Sequence, residues 1–73
     1  MTRLSDFGMR VRILRVRNRM GVRELAKILR TSAGTVSRLE NGKPVEVKLL
    51  DRACLWVGAN IARVLQLQSA KLP

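Results

Sequence analysis

The sequence contains no histidine and a single cysteine, Cys54. Zinc sites of the Cys/His kind and acid–base catalysis by histidine are therefore excluded, and no internal disulfide can form. Five carboxylates and one cysteine with apolar neighbours offer no nucleophile with a base beside it. We expect a protein that is not an enzyme and that needs no cofactor and no metal ion.

Long apolar runs and aromatic residues are also scarce. No stretch approaches the ~18 apolar residues of a membrane span, and no apolar run of signal-peptide length stands near the amino terminus. We therefore expect a cytoplasmic protein with no membrane partner. Because only Phe7 and Trp56 are aromatic, the core must consist mainly of aliphatic side chains, which suits packed helices. The 73 residues are expected to form one small domain, residues 1–73, for which oligomerisation would add buried surface.

Positive charge is what the sequence has in excess. Fifteen Lys and Arg against five Asp and Glu give a net charge of +10. Residues 1–43 hold eleven of the basic and three of the acidic residues, a net charge of +8, whereas residues 44–73 hold only +2. This imbalance indicates an anionic partner that meets the first part of the chain.

Apolar spacing and turn residues predict an all-α fold of five short helices. The first is expected over Asp6–Asn18, with Ser5 as its N-cap. The others are expected at Val22–Leu29 after Gly21, at Ala33–Glu40 after Ser32, at Glu46–Val57 before Gly58, and at Ile61–Gln68 after Asn60. On the fourth helix, the residues predicted to face inward are Val47, Leu50, Cys54 and Val57, with Leu49 and Ala53 beside them.

The first helix carries two apolar stripes. One consists of Phe7, Val11 and Leu14 at positions i, i+4 and i+7, as expected of a buried face. The second consists of Met9, Ile13 and Val16, which a simple solvated face would not have. We therefore expect the second stripe to need a cover.

Two short helices joined by a three-residue turn make a helix-turn-helix, the unit whose second helix enters the major groove of DNA. Residues 21–40 have this arrangement. The pattern Leu25-Ala26-x-x-Leu29-x-x-Ser32-x-x-Thr35-Val36-Ser37-Arg38-Leu39-Glu40-Asn41-Gly42 resembles the lambda-repressor/Cro-like (XRE) family of transcriptional regulators. The resemblance extends upstream to Phe7-Gly8-x-Arg10-Val11-Arg12-x-Leu14-Arg15 and covers most of residues 5–66. It implies a compact five-helix DNA-binding domain, similar to the small stand-alone regulators of phages and mobile elements.

The resemblance places base-reading positions at Ala33, Gly34, Ser37 and Arg38, and the exposed face of the third helix should also include Thr35. The side chains of Ala33 and Gly34 cannot form hydrogen bonds, so direct readout is expected to be sparse. Arg38 is the first choice for a bidentate contact with guanine, and a solvated surface charge is the alternative for it.

Contacts with DNA phosphates are predicted at Ser32, Arg23, Arg30 and Lys43, which flank the third helix. A plain helix cap is the alternative role for Ser32, and unspecific surface charge is the alternative for each cation. The resemblance also implies a structural ion pair between Arg15 and Glu40, which would join the first helix to the end of the third.

The sequence departs from the family pattern at three helix ends. Arg19 and Arg30 stand where the family often has glycine after a helix, and Gly21 replaces the usual Ser or Thr cap of the second helix. These departures weaken local capping but leave the pattern of core residues undisturbed.

Together these features predict a regulator of transcription that binds double-stranded DNA as a homodimer, with a repressor on a pseudo-palindromic operator as the leading interpretation. Ile61, Val64 and Leu65 on the fifth helix are the predicted dimer seam, and closure of a monomeric core is the equal alternative. No small-molecule ligand is expected. The alternative function is a protein-binding module of the same fold, an antiactivator or antitoxin that inhibits another protein, and the sparse reading face favours it.

Overall fold

The computed structural model describes residues 3–69, and these residues contain five α-helices and no strand. The helices are α1 (Leu4–Arg17), α2 (Val22–Leu29), α3 (Ala33–Glu40), α4 (Val47–Val57) and α5 (Ile61–Ser69). The all-α prediction is confirmed, and α2 and α3 have the predicted boundaries. Residues 1, 2 and 70–73 of the predicted domain lie outside the described residues.

The predicted start of α1 was wrong, because the helix begins at Leu4 and Ser5 lies inside its first turn. The earlier start buries Leu4, which is 1% exposed. It also lets the Asp6 carboxylate accept a hydrogen bond from the Arg3 N–H at 3.0 Å, so that a carboxylate takes up a free N–H group at the positive end of the helix. The hydroxyl of Ser5 is therefore not the cap.

All five helices contribute to one core. α3 packs against α2 and α1, α4 packs against α5, and contacts of α1 with α4 and α5 close the bundle. The buried side chains are Leu4, Phe7, Val11, Leu25, Ala26, Leu29, Val36, Leu39, Leu49, Leu50, Ala53, Cys54 and Val64. α2 thus contributes Leu25, Ala26 and Leu29 to this core, and α3 contributes Val36 and Leu39.

Two residues lie elsewhere than the sequence predicted. Val47, expected to face inward, is the first residue of α4 and is 54% exposed, because Leu49 and Leu50 fill the core at this end of the helix. Val64, expected at a dimer seam, is fully buried within the protomer. It has no surface left for a second copy, so only Ile61 and Leu65 of that predicted seam remain partly exposed.

The first three helices end in the same type of turn. A residue one or two positions beyond each helix has a positive φ: 55° at Arg19, 58° at Arg30 and 75° at Gly42. The next N–H then bonds to a carbonyl five residues back, from Met20 to Arg15 at 3.1 Å, from Thr31 to Ala26 at 2.9 Å and from Lys43 to Arg38 at 3.0 Å. This is the Schellman motif, which favours glycine at the left-handed position. The two arginines that depart from the family pattern therefore occupy a conformation that costs a non-glycine residue ~1–2 kcal/mol.

α1 and the last turn of α3 are in direct backbone contact at Gly8. A Cβ atom on Gly8 would lie 2.6 Å from the carbonyl oxygen of Glu40 and closer still to that of Leu39. The turn after α3 is equally tight, because a Cβ on Gly42 would lie 2.6 Å from the Cα of Ser5. Glycine at these two positions is what allows the start of α1 to pack against the end of α3.

The contact at Gly8 can be tested with two matched substitutions in helices. Gly8→Ala must push α1 away from α3, and overpacking of this kind typically costs ~1–3 kcal/mol. Gly34→Ala, at an exposed position of α3 with no atom within 4 Å of the new Cβ, should be neutral or stabilise by up to ~1 kcal/mol. Thermal unfolding followed by circular dichroism should show a lower Tm for the first variant only, and equal shifts for both would contradict the packing argument.

Candidate nucleic-acid interface

The first turn of α3 is closed by hydroxyl groups. Ser32 is the N-cap, and its Oγ accepts the Thr35 N–H at 3.2 Å. The two hydroxyls also share a hydrogen bond of 2.8 Å, and Ser32 is an exposed residue. The predicted cap is confirmed. A phosphate contact by Ser32 stays a prediction, and Thr35 is half-buried with its hydroxyl already engaged by Ser32.

One side of α3 is exposed to solvent. Val36 and Leu39 are fully buried, whereas Gly34, Ser37 and Arg38 are exposed. Ala33 and Thr35 are half-buried at the edge of this surface. Of the five predicted reading residues, three therefore lie on the open face and two lie beside it. We call the surface of Gly34, Ser37 and Arg38 the reading face.

Two polar side chains organise the end of the reading face. Arg38 Nη2 donates to the carbonyl oxygen of Pro44 at 3.2 Å, so the guanidinium rests on the loop after α3 and keeps its other donors exposed. Asn41, which is not among the predicted reading residues, donates from Nδ2 to the Ser37 carbonyl at 2.8 Å. Its amide is exposed beside Ser37, which adds a hydrogen-bonding group to the reading face.

The loop after α3 is held by a side chain from α5. Gln68 Oε1 accepts the Val45 N–H at 3.1 Å, and Gln68 Nε2 donates to the Val45 carbonyl at 2.8 Å. This paired contact fixes the residue next to Pro44, whose carbonyl receives Arg38. α5, the loop and Arg38 thus form one connected series of hydrogen bonds.

The predicted phosphate-binding cations lie around α3. Arg23 is exposed in the first turn of α2, Arg30 is exposed in the turn between α2 and α3, and Lys43 is exposed in the loop after α3. Arg30 lies three residues before the first residue of α3, and Lys43 lies three residues after its last. Exposed cations are the side chains that most often contact DNA phosphates.

Arg15 and Glu40 form the predicted ion pair. Arg15 Nε and Nη2 donate to Glu40 Oε2 and Oε1 at 2.7 and 3.1 Å, and Nη1 donates to the Met20 carbonyl at 2.9 Å. The two side chains are only 12% and 7% exposed. The hydrogen bond with Glu40, opposed by burial and supported by the carboxylate charge, raises the pKa of Arg15 above its ordinary value. The pair therefore joins α1 to α3 and is closed to DNA.

A further tie, from α4, was missed at the sequence level. Arg52 Nε donates to the Leu29 carbonyl at 2.6 Å, so a cation satisfies a free carbonyl at the end of α2. The two residues are far apart in the chain, and no spacing pattern could have paired them. The contact anchors the first helix of the helix-turn-helix to α4.

Cys54 has no reactive surroundings. The thiol is buried, and burial together with the nearby Asp51 carboxylate raises its pKa to about 11. It is therefore protonated and poorly nucleophilic at neutral pH. Within residues 3–69 no helix is long and apolar enough to cross a membrane, and no cluster of potential metal ligands occurs.

Comparisons with known proteins agree with this geometry. A family model described as a helix-turn-helix domain matches residues 6–67. Among solved structures, the clp gene regulator ClgR from C. glutamicum is similar, with a TM-score of 0.63 and 34% sequence identity. That alignment covers 96% of this chain and 92% of the ClgR chain. No curated protein matches the chain.

The contact between Gln68 and Val45 predicts a local effect that needs no ligand. In the variant Gln68→Ala, the Val45 N–H loses its hydrogen-bond acceptor. A hydrogen bond contributes a net ~0.5–1.5 kcal/mol, so the free energy of local opening should fall by this amount and the Val45 amide should exchange about 2- to 10-fold faster. Gln66→Ala, an exposed glutamine on the same helix, is the control and should leave the exchange unchanged. Amide exchange measured by NMR decides this, and equal protection of Val45 in both variants would refute the clamp.

Proposed function

The chain belongs to the XRE-type helix-turn-helix family of DNA-binding transcriptional regulators, and from this premise we propose that it is a sequence-specific repressor that acts as a homodimer on a pseudo-palindromic operator. The proposed site of action is the bacterial cytoplasm, on the DNA of the nucleoid. In this proposal α3 enters the major groove of double-stranded DNA.

One observation carries the proposal. α3 presents an exposed face that carries Gly34, Ser37 and Arg38, and the exposed cations Arg30 and Lys43 precede and follow this helix in the chain. A guanidinium fork can bind O6 and N7 of guanine together, which makes Arg38 the principal base reader. Ser37 and the neighbouring Asn41 supply further hydrogen-bonding groups.

The remaining positions of α3 would act through shape. Gly34 has no atom within 4 Å of where a Cβ would stand, so the backbone at this point can approach the bases closely. Ala33, at the half-buried edge, can contact only the methyl group of thymine. Phosphate contacts by Ser32, Arg23, Arg30 and Lys43 would then supply most of the affinity and make it steeply dependent on salt.

The operator-reading role of Arg38 can be tested on DNA from directly upstream of the protein's own reading frame. The wild type should prefer this DNA over a scrambled duplex of equal length, and Arg38→Ala should reduce the preference about 5- to 150-fold, since a bidentate pair contributes ~1–3 kcal/mol of discrimination. Arg38→Lys keeps the charge but loses the fork, so it should retain unspecific binding and lose the preference. Lys43→Gln should instead lower the salt slope of log affinity by about one, with the preference unchanged.

Anisotropy titrations across a salt series give all of these quantities. Equal, weak binding to both duplexes with no effect of Arg38→Ala would reject the proposed regulator. The second candidate function, a protein-binding module, would then replace it, and that candidate is favoured by the exposed apolar stripe on α1 and the few hydrogen-bonding side chains on the reading face.

Dimer formation is proposed through α5, where Ile61 and Leu65 remain partly exposed beside the buried Val64. Two copies joined there would present their α3 helices to major grooves one helical turn apart, ~34 Å. Leu65→Gln should then yield a folded monomer in sedimentation equilibrium. Leu55→Gln, at a 76% exposed position of α4, is the control and should remain a dimer. A monomeric wild type, or dissociation by the Leu55 variant alone, would reject the α5 seam.

A further inference from the structure

The second apolar stripe of α1 is uncovered in the protomer. Met9 and Ile13 are each 49% exposed and Val16 is 57% exposed, on the side of the helix away from the core. About half of the surface of each side chain is therefore open to solvent. We call these three residues the α1 stripe.

A groove runs along one edge of the α1 stripe. Ile13 and Leu14 form its wall on α1, and Val57, the last residue of α4, forms the opposite wall. Arg10 and Arg17 stand along the same groove, which has a volume of about 190 Å³. Since an apolar cavity of about 150 Å³ is large enough to bind benzene, the groove can receive an apolar side chain.

The groove faces away from the reading face. Gly8 and Arg15 mark the side of α1 that contacts α3, through the backbone contact and the ion pair. Arg10 and Arg17 each follow two residues later, which turns them about 200° around the helix axis. A molecule in the groove would therefore leave α3 free to bind DNA.

The two arginines of the groove, Arg10 and Arg17, favour an occupant with negative charge. Within the described part of the chain, neither Arg10 nor Arg17 forms a salt bridge. They are seven residues apart, which places them two turns or ~10 Å from each other along α1. An occupant with carboxylates at that separation and apolar side chains between them would satisfy both arginines and cover the α1 stripe.

A second copy of this chain fits the groove poorly. A two-fold interface places the same surface on both sides, so Arg10 and Arg17 of both copies would lie within one interface, and neither groove contributes an acidic residue. Like charges in direct opposition are destabilising. A separate partner of opposite charge is the complementary solution.

We propose that the groove and the α1 stripe form a docking site for an acidic amphipathic helix of a partner protein. Leu, Ile or Met side chains at i, i+3 or i+4, and i+7 of the partner cover the stripe, as in other helix-in-groove complexes. Two Asp or Glu residues seven positions apart pair with Arg10 and Arg17. The site works whether or not the protein reads an operator, so its test is separate from that of DNA binding.

The test uses a synthetic, fluorescently labelled peptide with an N-acetyl and a C-amide end, leucines on one helical face and two glutamates seven residues apart beside that face. Its control has the same composition with the leucines distributed around the helix. The full chain should bind the patterned peptide at least 10-fold more tightly than the control, and saturating duplex DNA should not displace it. Ile13→Glu should abolish peptide binding, and the double variant Arg10→Ala/Arg17→Ala should weaken it at least 10-fold.

Two controls separate loss of the docking site from loss of the fold or of general positive charge. Circular dichroism should show that Ile13→Glu is folded, as expected for a side chain outside the core, and Met9→Glu repeats the test at a second position of the stripe. Arg63→Ala, an exposed arginine on α5, should leave peptide binding nearly unchanged. The proposal would be overturned if the patterned peptide failed to bind, bound no better than the control peptide, or was displaced by DNA. It would also be overturned if the protein bound vesicles of anionic phospholipid more tightly than the peptide and this binding depended on Ile13.

Discussion

The close contact between α1 and the last turn of α3 is the constraint on which the rest of the structure depends. A helix of eight residues is unstable by itself in water, so the direction of α3 must be imposed by its neighbours. Gly8 permits the contact sterically, and the forked ion pair of Arg15 and Glu40 fixes its register. Because a partly buried ion pair contributes more to geometry than to net stability, its main effect here is on where α3 points. Both interactions involve the last turn of α3 and leave Gly34, Ser37 and Arg38 exposed, so they set the angle of the reading face without occupying it.

Besides their apolar contacts in the core, α4 and α5 make polar contacts with the segments before and after α3. Arg52 bonds to the end of α2, and Gln68 bonds to both backbone groups of Val45. Each satisfies backbone groups at a helix end or in a loop, where no partner within the same element is available. The apolar core holds the five helices together, while these polar contacts determine the position of the turns that border α3. One of these contacts lies at the end of α2 and the other lies in the loop after α3, and each joins residues more than twenty positions apart in the chain.

The sequence predicted those features that depend on local patterns. The boundaries of α2 and α3 follow from apolar spacing and from the caps Gly21 and Ser32, and the pairing of Arg15 with Glu40 was implied by the family resemblance. The sequence did not predict the features that depend on residues far apart in the chain. These are the earlier start of α1, the burial of Val64, and the contacts made by Arg52 and Gln68. Periodicity shows that one side of a helix is apolar, but it does not distinguish burial in the protomer from burial against a second copy. The close approach at Gly8 was likewise invisible, since a glycine inside a helix has no signal of its own.

A reading face with so few hydrogen-bonding side chains makes the placement of each one important. Contacts with phosphates do not distinguish sequences, so discrimination would depend largely on where the guanidinium of Arg38 is held. That group rests on the carbonyl of Pro44, and the next residue is clamped by Gln68 from α5. α5 is also the helix through which dimer formation is proposed. A second copy bound at α5 would therefore contact the same helix that positions the loop under Arg38, so the proposed dimer contact and the proposed base contact would depend on one structural element.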